Sequence, residues 1–146
     1  MAVFESATLE VVAIPVADVD RSIRFYRDLG WRLDADYEAG EKFRIVQITP
    51  PGAACSVQFG RGVTPAPPGS ALCFLVVTDI DEARKELLGK GVDVSEVFHH
   101  VYDHGFEERV DGPDPGRSSY RSFVTFDDPD GNTWRLQEVT QRAPGR

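Results

Sequence analysis

Residues 11–31 read VVAIPVADVDRSIRFYRDLGW, and residues 72–92 read LCFLVVTDIDEARKELLGKGV. The two stretches superpose without a gap at an offset of 61 residues, setting Val16 on Val77, Asp18 on Asp79, Val19 on Ile80, Asp20 on Asp81 and Gly30 on Gly91. Self-similarity of this kind marks a duplicated structural unit. Each copy follows one physical grammar. An apolar run of strand length ends at an aspartate, whose carboxylate can accept from the free N–H groups of a first helical turn. Helical spacing follows, at Val19, Ile23, Tyr26 and Leu29 in the first copy and at Ile80, Ala83 and Leu87 in the second. Gly30 and Gly91 then supply the left-handed conformation that ends a helix.

Outward from each helix the pattern turns to strands, at 31–38, 42–49 and 54–60 in the first half and at 92–98, 120–126 and 133–139 in the second. The sequence therefore predicts an α+β chain of two βαβββ modules, about 8–60 and 71–140. A Pro- and Gly-rich linker at 61–70 joins them, and a short tail follows at 141–146. One helix per module covers one sheet face and leaves the other open. Joining two such modules predicts a cup-shaped mixed sheet with the helices on its convex face, and concave surfaces are where ligands bind.

The 146 residues, 41% hydrophobic and 27% charged, fit one soluble globular domain. A net charge of −8 opposes binding to phosphate backbones or anionic lipid, so neither a nucleic-acid nor a membrane partner is expected. Taken alone, that acidity favours a cationic ligand. The longest apolar runs, 11–17 and 71–77, fall far short of the roughly 20 residues that cross a bilayer. The start, MAVFES, lacks the basic-then-apolar order of a secretory signal. Cys55 and Cys73 lie in apolar runs with no C-x-x-C spacing, as free thiols of a reducing cytoplasm do, and a cytoplasmic location is expected.

Three stretches in this order, PVADVDRSIRFYRDLGW at 15–31, VVTDIDEARKELLGKGV at 76–92 and DDPDGNTWRLQEV at 127–139, resemble the vicinal oxygen chelate superfamily, the glyoxalase, bleomycin-resistance and extradiol-dioxygenase group. The resemblance covers roughly residues 8–140. It implies paired βαβββ modules around a cup, homodimerisation and, in many members, a divalent metal at the cup floor. Metal-dependent members carry a histidine or glutamine seven residues before the aspartate that opens the first helix, and this chain has Val11 there. The equivalent second-half position is Leu72, and the usual glutamate four residues after the glycine of DPDG is Arg135. The remaining ligand position corresponds best to Gln58, with Ser56 as the other register. Valine and leucine offer no lone pair, and arginine is a permanent cation. No metal and no other cofactor is therefore expected, and metal polarisation of the substrate goes with them.

Period-two alternation sets Thr133, Arg135 and Gln137 on one strand face, Trp134 and Leu136 on the other. The resemblance puts the first set inside the cup. Val11, Ala13, Leu72, Phe74 and Val76 line it by the same logic, with Gln58 and Ser56, giving a mostly apolar ligand site for an uncharged or singly anionic organic molecule. Two placements of Arg135 are open: a fork for a carboxylate, phenolate or enolate oxygen, or a head turned to solvent or to Glu138.

The FHHVYDHG segment, 98–105, reads as the start of a long insertion reaching residue 116. It is open to three readings. One is a polar surface loop, and a second is a lid whose His99 or His104 serves as a general base beside Arg135. The third is a metal site of His99, His100, Asp103 and His104. DPDGN and GPDPGRSSY supply turn chemistry, their acids holding the turn. The function expected first is a metal-free protein that sequesters a small, partly apolar or aromatic molecule. The alternatives are a metal-independent isomerase, lyase or cyclase using Arg135 and a lid histidine, or a metal-dependent lyase or dioxygenase working through the histidine cluster.

Overall fold

An aspartate starts each helix. In the computed structural model, which describes residues 2–103 and 106–146, the Asp18 carboxylate accepts from the Arg21 N–H at 3.0 Å and opens α1 (Val19–Asp28). The Asp79 carboxylate accepts from the N–H groups of Asp81 and Glu82 at 3.1 and 3.0 Å and opens α2 (Ile80–Gly89). Beyond the helices, Gly30 and Gly91 take φ of 91° and 78°, as the repeat predicts.

The chain divides into two units, one of residues 1–71 with 129–132, the other of residues 72–128 with 133–146. In the first unit β1 (Val11–Ala13), β2 (Arg32–Ala39), β3 (Phe43–Thr49) and β4 (Ser56–Arg61) form a sheet in the order β1-β4-β3-β2, with β1 parallel to β4. Helix α1 turns Val19, Ser22 and Tyr26 inward. The Tyr26 ring lies 5.0 Å from Trp31 and 5.8 Å from Phe59, and Val46, Ile48 and Val57 complete a core that removes apolar surface from water.

The DPDGN turn belongs to this unit by its contacts. Buried Asp130 accepts from the Ala17 N–H and from Arg21 Nη2, both at 3.0 Å. Asn132 donates to the Pro15 carbonyl at 2.7 Å and accepts from the Ala71 N–H at 3.1 Å. The turn's polar groups thus fix the lead-in to α1. Gly69 passes so close that a Cβ there would stand 2.3 Å from the Asp130 carbonyl oxygen.

The second unit contains β5 (Leu72–Val77), β6 (Phe98–Asp103), β7 (Phe106–Asp111), β8 (Ser122–Asp127) and β9 (Thr133–Glu138), ordered β5-β9-β8-β6-β7 with β5 parallel to β9. Helix α2 packs on β8 and β9. Ile80 of the helix and Val124, Phe126, Trp134 and Leu136 of the strands are buried between them. Glu138, 1% exposed, shares that face. It accepts from the Ile80 N–H at 2.9 Å and takes a two-toothed grip from Arg117, at 2.6 and 3.0 Å. The carboxylate completes the start of α2, where the helix dipole favours negative charge.

Two expectations for this unit are corrected. Residues 92–98 do not form a strand: Val94 makes one isolated bridge to Phe126, and the strand begins at Phe98. The expected insertion is a β-hairpin, in which β6 pairs antiparallel with β7 along its whole length and joins β8 through Phe98 and His99. The segment so becomes the fourth and fifth strands of the sheet rather than a loop. Phe98, His100 and Tyr102 supply the period-two alternation of a strand, and Glu108, Arg109 and Asp111 the charges that suit a sheet edge. His104 lies outside the described residues.

Two outcomes follow from these contacts. Gly69→Ala is expected to cost at least about 2 kcal/mol more than Gly91→Ala in urea denaturation. Both glycines have positive φ, but only Gly69 meets backbone, whereas Gly91 has open space around it. The Arg117 guanidinium holds the Glu138 carboxyl below its usual range. The stability this confers is full above about pH 4.5 and lost as pH falls through the folded-state pKa. Glu138→Gln should cost about 2 kcal/mol at pH 7, the gap from wild type narrowing in denaturation curves taken at progressively lower pH below 4.

Candidate functional site

The site is assembled from strand pleats. Within β9, Trp134, Leu136 and Glu138 face α2, so Thr133, Arg135 and Gln137 face away from it. Residues directly opposite on neighbouring strands share a face. The registers Leu72↔Thr133, Phe74↔Arg135 and Val76↔Gln137 add three apolar side chains from β5, exposed by 55, 50 and 41%. Phe123 and Thr125 of β8 pair with Gln137 and Arg135, and Phe98 of β6 pairs with Phe123. The same alternation brings His100 and Tyr102 to this face. The His100 ring stands 5.4 Å from Phe123 and 5.5 Å from Phe98.

Arg135 occupies the middle. Its guanidinium carbon lies 5.4 Å from the Phe74 ring, 5.5 Å from Phe123 and 5.9 Å from Phe98, each ring on a different strand. Its Nε is buried and, among the described residues, has no hydrogen-bond partner. The alternative in which Arg135 pairs with Glu138 is excluded, because the two face opposite sides of β9 and Glu138 is held by Arg117. A second guanidinium, of Arg109 on β7, sits 3.8 Å above the Phe98 ring.

Other polar side chains expected to serve a ligand are already engaged. Gln137 donates to the Tyr120 carbonyl at 3.1 Å, and Thr133 donates to Asp127 at 2.8 Å. In the first unit, Val11 and Ala13 pair with Ser56 and Gln58, and these four share the sheet face turned away from α1. There Gln58 donates to Gln47 at 3.0 Å, while Ser56 shares a hydrogen bond of 2.7 Å with Thr49, which donates in turn to Asp34.

A recess of about 320 Å³ opens beside Phe123, lined by His100, Tyr102, Ser119, Tyr120, Arg121 and Phe123. Its size is at the lower end for small-molecule sites. Tyr120 has φ of 72°, a left-handed backbone that costs a non-glycine residue about 1–2 kcal/mol. It is held there by its N–H on the Glu138 carbonyl at 2.8 Å and by its hydroxyl, which accepts from the Ala143 N–H at 3.0 Å. Strain of this kind concentrates at functional sites. Tyr102, Phe98, Phe123 and Arg109 were not among the expected site residues. For Phe98 and Tyr102 the signal was the alternation running from 98 to 102.

His99 is not where a base for Arg135 would have to be. It is 7% exposed on the opposite face, where its Nδ1 donates to the Gly112 carbonyl at 2.7 Å. A bond to a carbonyl leaves that nitrogen no basic role. His99 and His100, adjacent in a strand, point to opposite sides and do not converge on one ion. Among the described residues no group of three His, Cys, Asp or Glu side chains could hold a metal. The positions at which the resemblance implies metal ligands do not fit one either. Val11 and Leu72 are hydrocarbons, Arg135 is a cation, and the Gln58 amide is turned to Gln47. No helix among the described residues is long and apolar enough to cross a membrane.

Residues 8–136 match the family profile of the Glyoxalase/Bleomycin resistance protein/Dioxygenase superfamily. No curated protein matches the chain. Among solved structures, TnmS3, an antibiotic binding protein from Streptomyces sp. CB03234, is 28% identical with a TM-score of 0.67, over 91% of this chain and 96% of that one. A glyoxalase/bleomycin resistance protein from the same organism is 28% identical with a TM-score of 0.64, over 90% and 100%. A member of the glyoxalase/bleomycin resistance protein/dioxygenase superfamily from Sphaerobacter thermophilus is 27% identical with a TM-score of 0.66, over 92% and 98%.

His99→Ala should lower stability by about 1–2 kcal/mol in chemical denaturation, since it removes a buried ring and its hydrogen bond to the part-buried Gly112 carbonyl. Ligand affinity at the Arg135 face should stay within about twofold of wild type in a fluorescence titration.

Proposed function

The chain belongs to the Glyoxalase/Bleomycin resistance protein/Dioxygenase superfamily, and from that premise we propose that it binds a small, partly aromatic organic molecule on the face centred on Arg135. It holds this molecule without a metal and does not convert it. The observation that carries the reading is the combination of Leu72, Phe74 and Val76, each about half exposed, with a guanidinium set among three phenylalanine rings. Apolar surface left in water beside a buried donor is a binding surface in need of an occupant. Similarity to a protein described as antibiotic binding supports sequestration as the role. So does His99, whose orientation takes it away from Arg135 as a general base. The homodimer implied by the family is part of this proposal and is read directly by native mass spectrometry.

Turnover without a metal is the second reading. It is favoured by His100, which shares the face with Arg135 across the Phe123 ring.

N-phenylnaphthylamine, a neutral aromatic dye whose emission rises in apolar surroundings, tests the primary reading. It should bind one molecule per chain, weaken by about tenfold or more in Phe74→Asp, and keep its affinity within about twofold after exhaustive chelation. Native mass spectrometry of protein from its own cells should release any retained organic molecule chemically intact. Loss of binding on chelation, or dye binding unaffected by Phe74→Asp, defeats the proposal. A product that accumulates with wild type and not with His100→Ala replaces it with the enzymatic reading.

A further inference from the structure

We propose that the occupant of the Arg135 face is a planar aromatic anion, with its carboxylate, sulfonate or phenolate oxygen on the Arg135 guanidinium and its ring system among Phe74, Phe98 and Phe123. The inference rests on the binding reading above and adds the charge and shape of the ligand.

Arginine is charged at every accessible pH and presents its donors in a rigid planar fork. Here that fork sits between rings from β5, β6 and β8, and its Nε is buried without an acceptor among the described residues. Aromatic faces stabilise the cation through their quadrupoles, but they accept no strong hydrogen bond, so the N–H groups remain available to an outside acceptor. Among the described residues no carboxylate forms an ion pair with it. Glu138 is behind the sheet on Arg117, Asp127 accepts from Thr133, and Asp114 faces Arg121 at 3.4 Å.

The register also sets Asp111 opposite Phe98 and Asp127 opposite Thr133, so the selection rests on the charge nearest the rings and not on the sum over the face. Among the rings themselves that charge is Arg135, with Arg109 3.8 Å above Phe98, and both repel a cation placed there. An anion gains a charge-assisted fork in a site partly removed from water, and a neutral molecule of the same shape gains only the rings. Planarity follows from the rings themselves, since flat aromatic surfaces stack on them with the least loss of contact.

The experiment compares two dyes with one skeleton, neutral N-phenylnaphthylamine and its anionic counterpart anilinonaphthalene sulfonate, by fluorescence titration on the full chain. Wild type should prefer the sulfonate by about tenfold or more, and the preference should shrink as salt rises. Arg135→Gln should bring the ratio of the two affinities to near one, and Arg135→Lys should leave it between. Far-ultraviolet circular dichroism confirms that each variant is folded, and the lysine variant keeps the comparison decisive if the glutamine variant is not. A wild-type ratio near one, with the neutral dye bound, overturns the charge assignment and leaves the binding reading standing. Sulfonate preference unchanged in both Arg135 variants also overturns it. If neither dye binds, the binding reading itself falls, and this inference with it.

Discussion

Strand β9 carries two opposite charges that cannot meet. Arg135 and Glu138 are three residues apart, an odd number, so the pleat sends them to opposite faces of the sheet. Glu138, buried under α2, is tolerable only if donors surround it, and it finds them in the Ile80 N–H and in Arg117. Arg117 reaches it from a backbone with φ of 49°, a conformation that costs energy and is repaid by the two-toothed grip and by Asp81 at 2.9 Å. Arg135 is left on the other side with rings for company. A register slip of one residue would exchange the two faces, burying a guanidinium beneath the helix.

The first unit treats its polar groups differently. On the face turned from α1, Gln58 closes on Gln47 and Ser56 on Thr49, and Thr49 on Asp34. Each donor finds an acceptor inside the unit, so these side chains hold strands together and offer little to a ligand. Asp130 and Asn132 likewise spend their hydrogen bonds on Ala17, Arg21, Pro15 and Ala71. Arg135 differs from Gln58, Ser56, Thr133 and Gln137 in this respect, its buried Nε having no partner among the described residues.

Local signals were legible in the sequence and distant ones were not. Asp18 and Asp79 announce their helices because capping involves neighbours two or three residues away. The faces of β9 and β5 were readable because alternation is a property of one strand. The β6–β7 hairpin was missed because its histidines and acids lower the apolar contrast that marks a strand, and edge strands tolerate such residues. His99 was misassigned for a related reason. A histidine beside another histidine suggests a cluster, yet adjacent strand positions diverge, and only the fold brings Gly112 to its ring. The three rings around Arg135 come from segments far apart in the chain, and no spacing rule joins them.

Replacing a metal ligand by arginine changes what a site can do as well as what it can hold. A divalent ion draws electrons from bound oxygen and so lowers the barrier to reactions at neighbouring atoms. A guanidinium spreads one charge over a plane and gives hydrogen bonds of fixed direction, which recognise an anion already present. Rings packed around it add attraction that depends on the ligand's shape and not on its progress along a reaction. Interactions that stabilise bound substrate and transition state alike tighten binding without accelerating chemistry. The proposed binding role rests on this difference: with His99 turned to a backbone carbonyl, the rings and guanidinium around Arg135 supply recognition of a bound molecule.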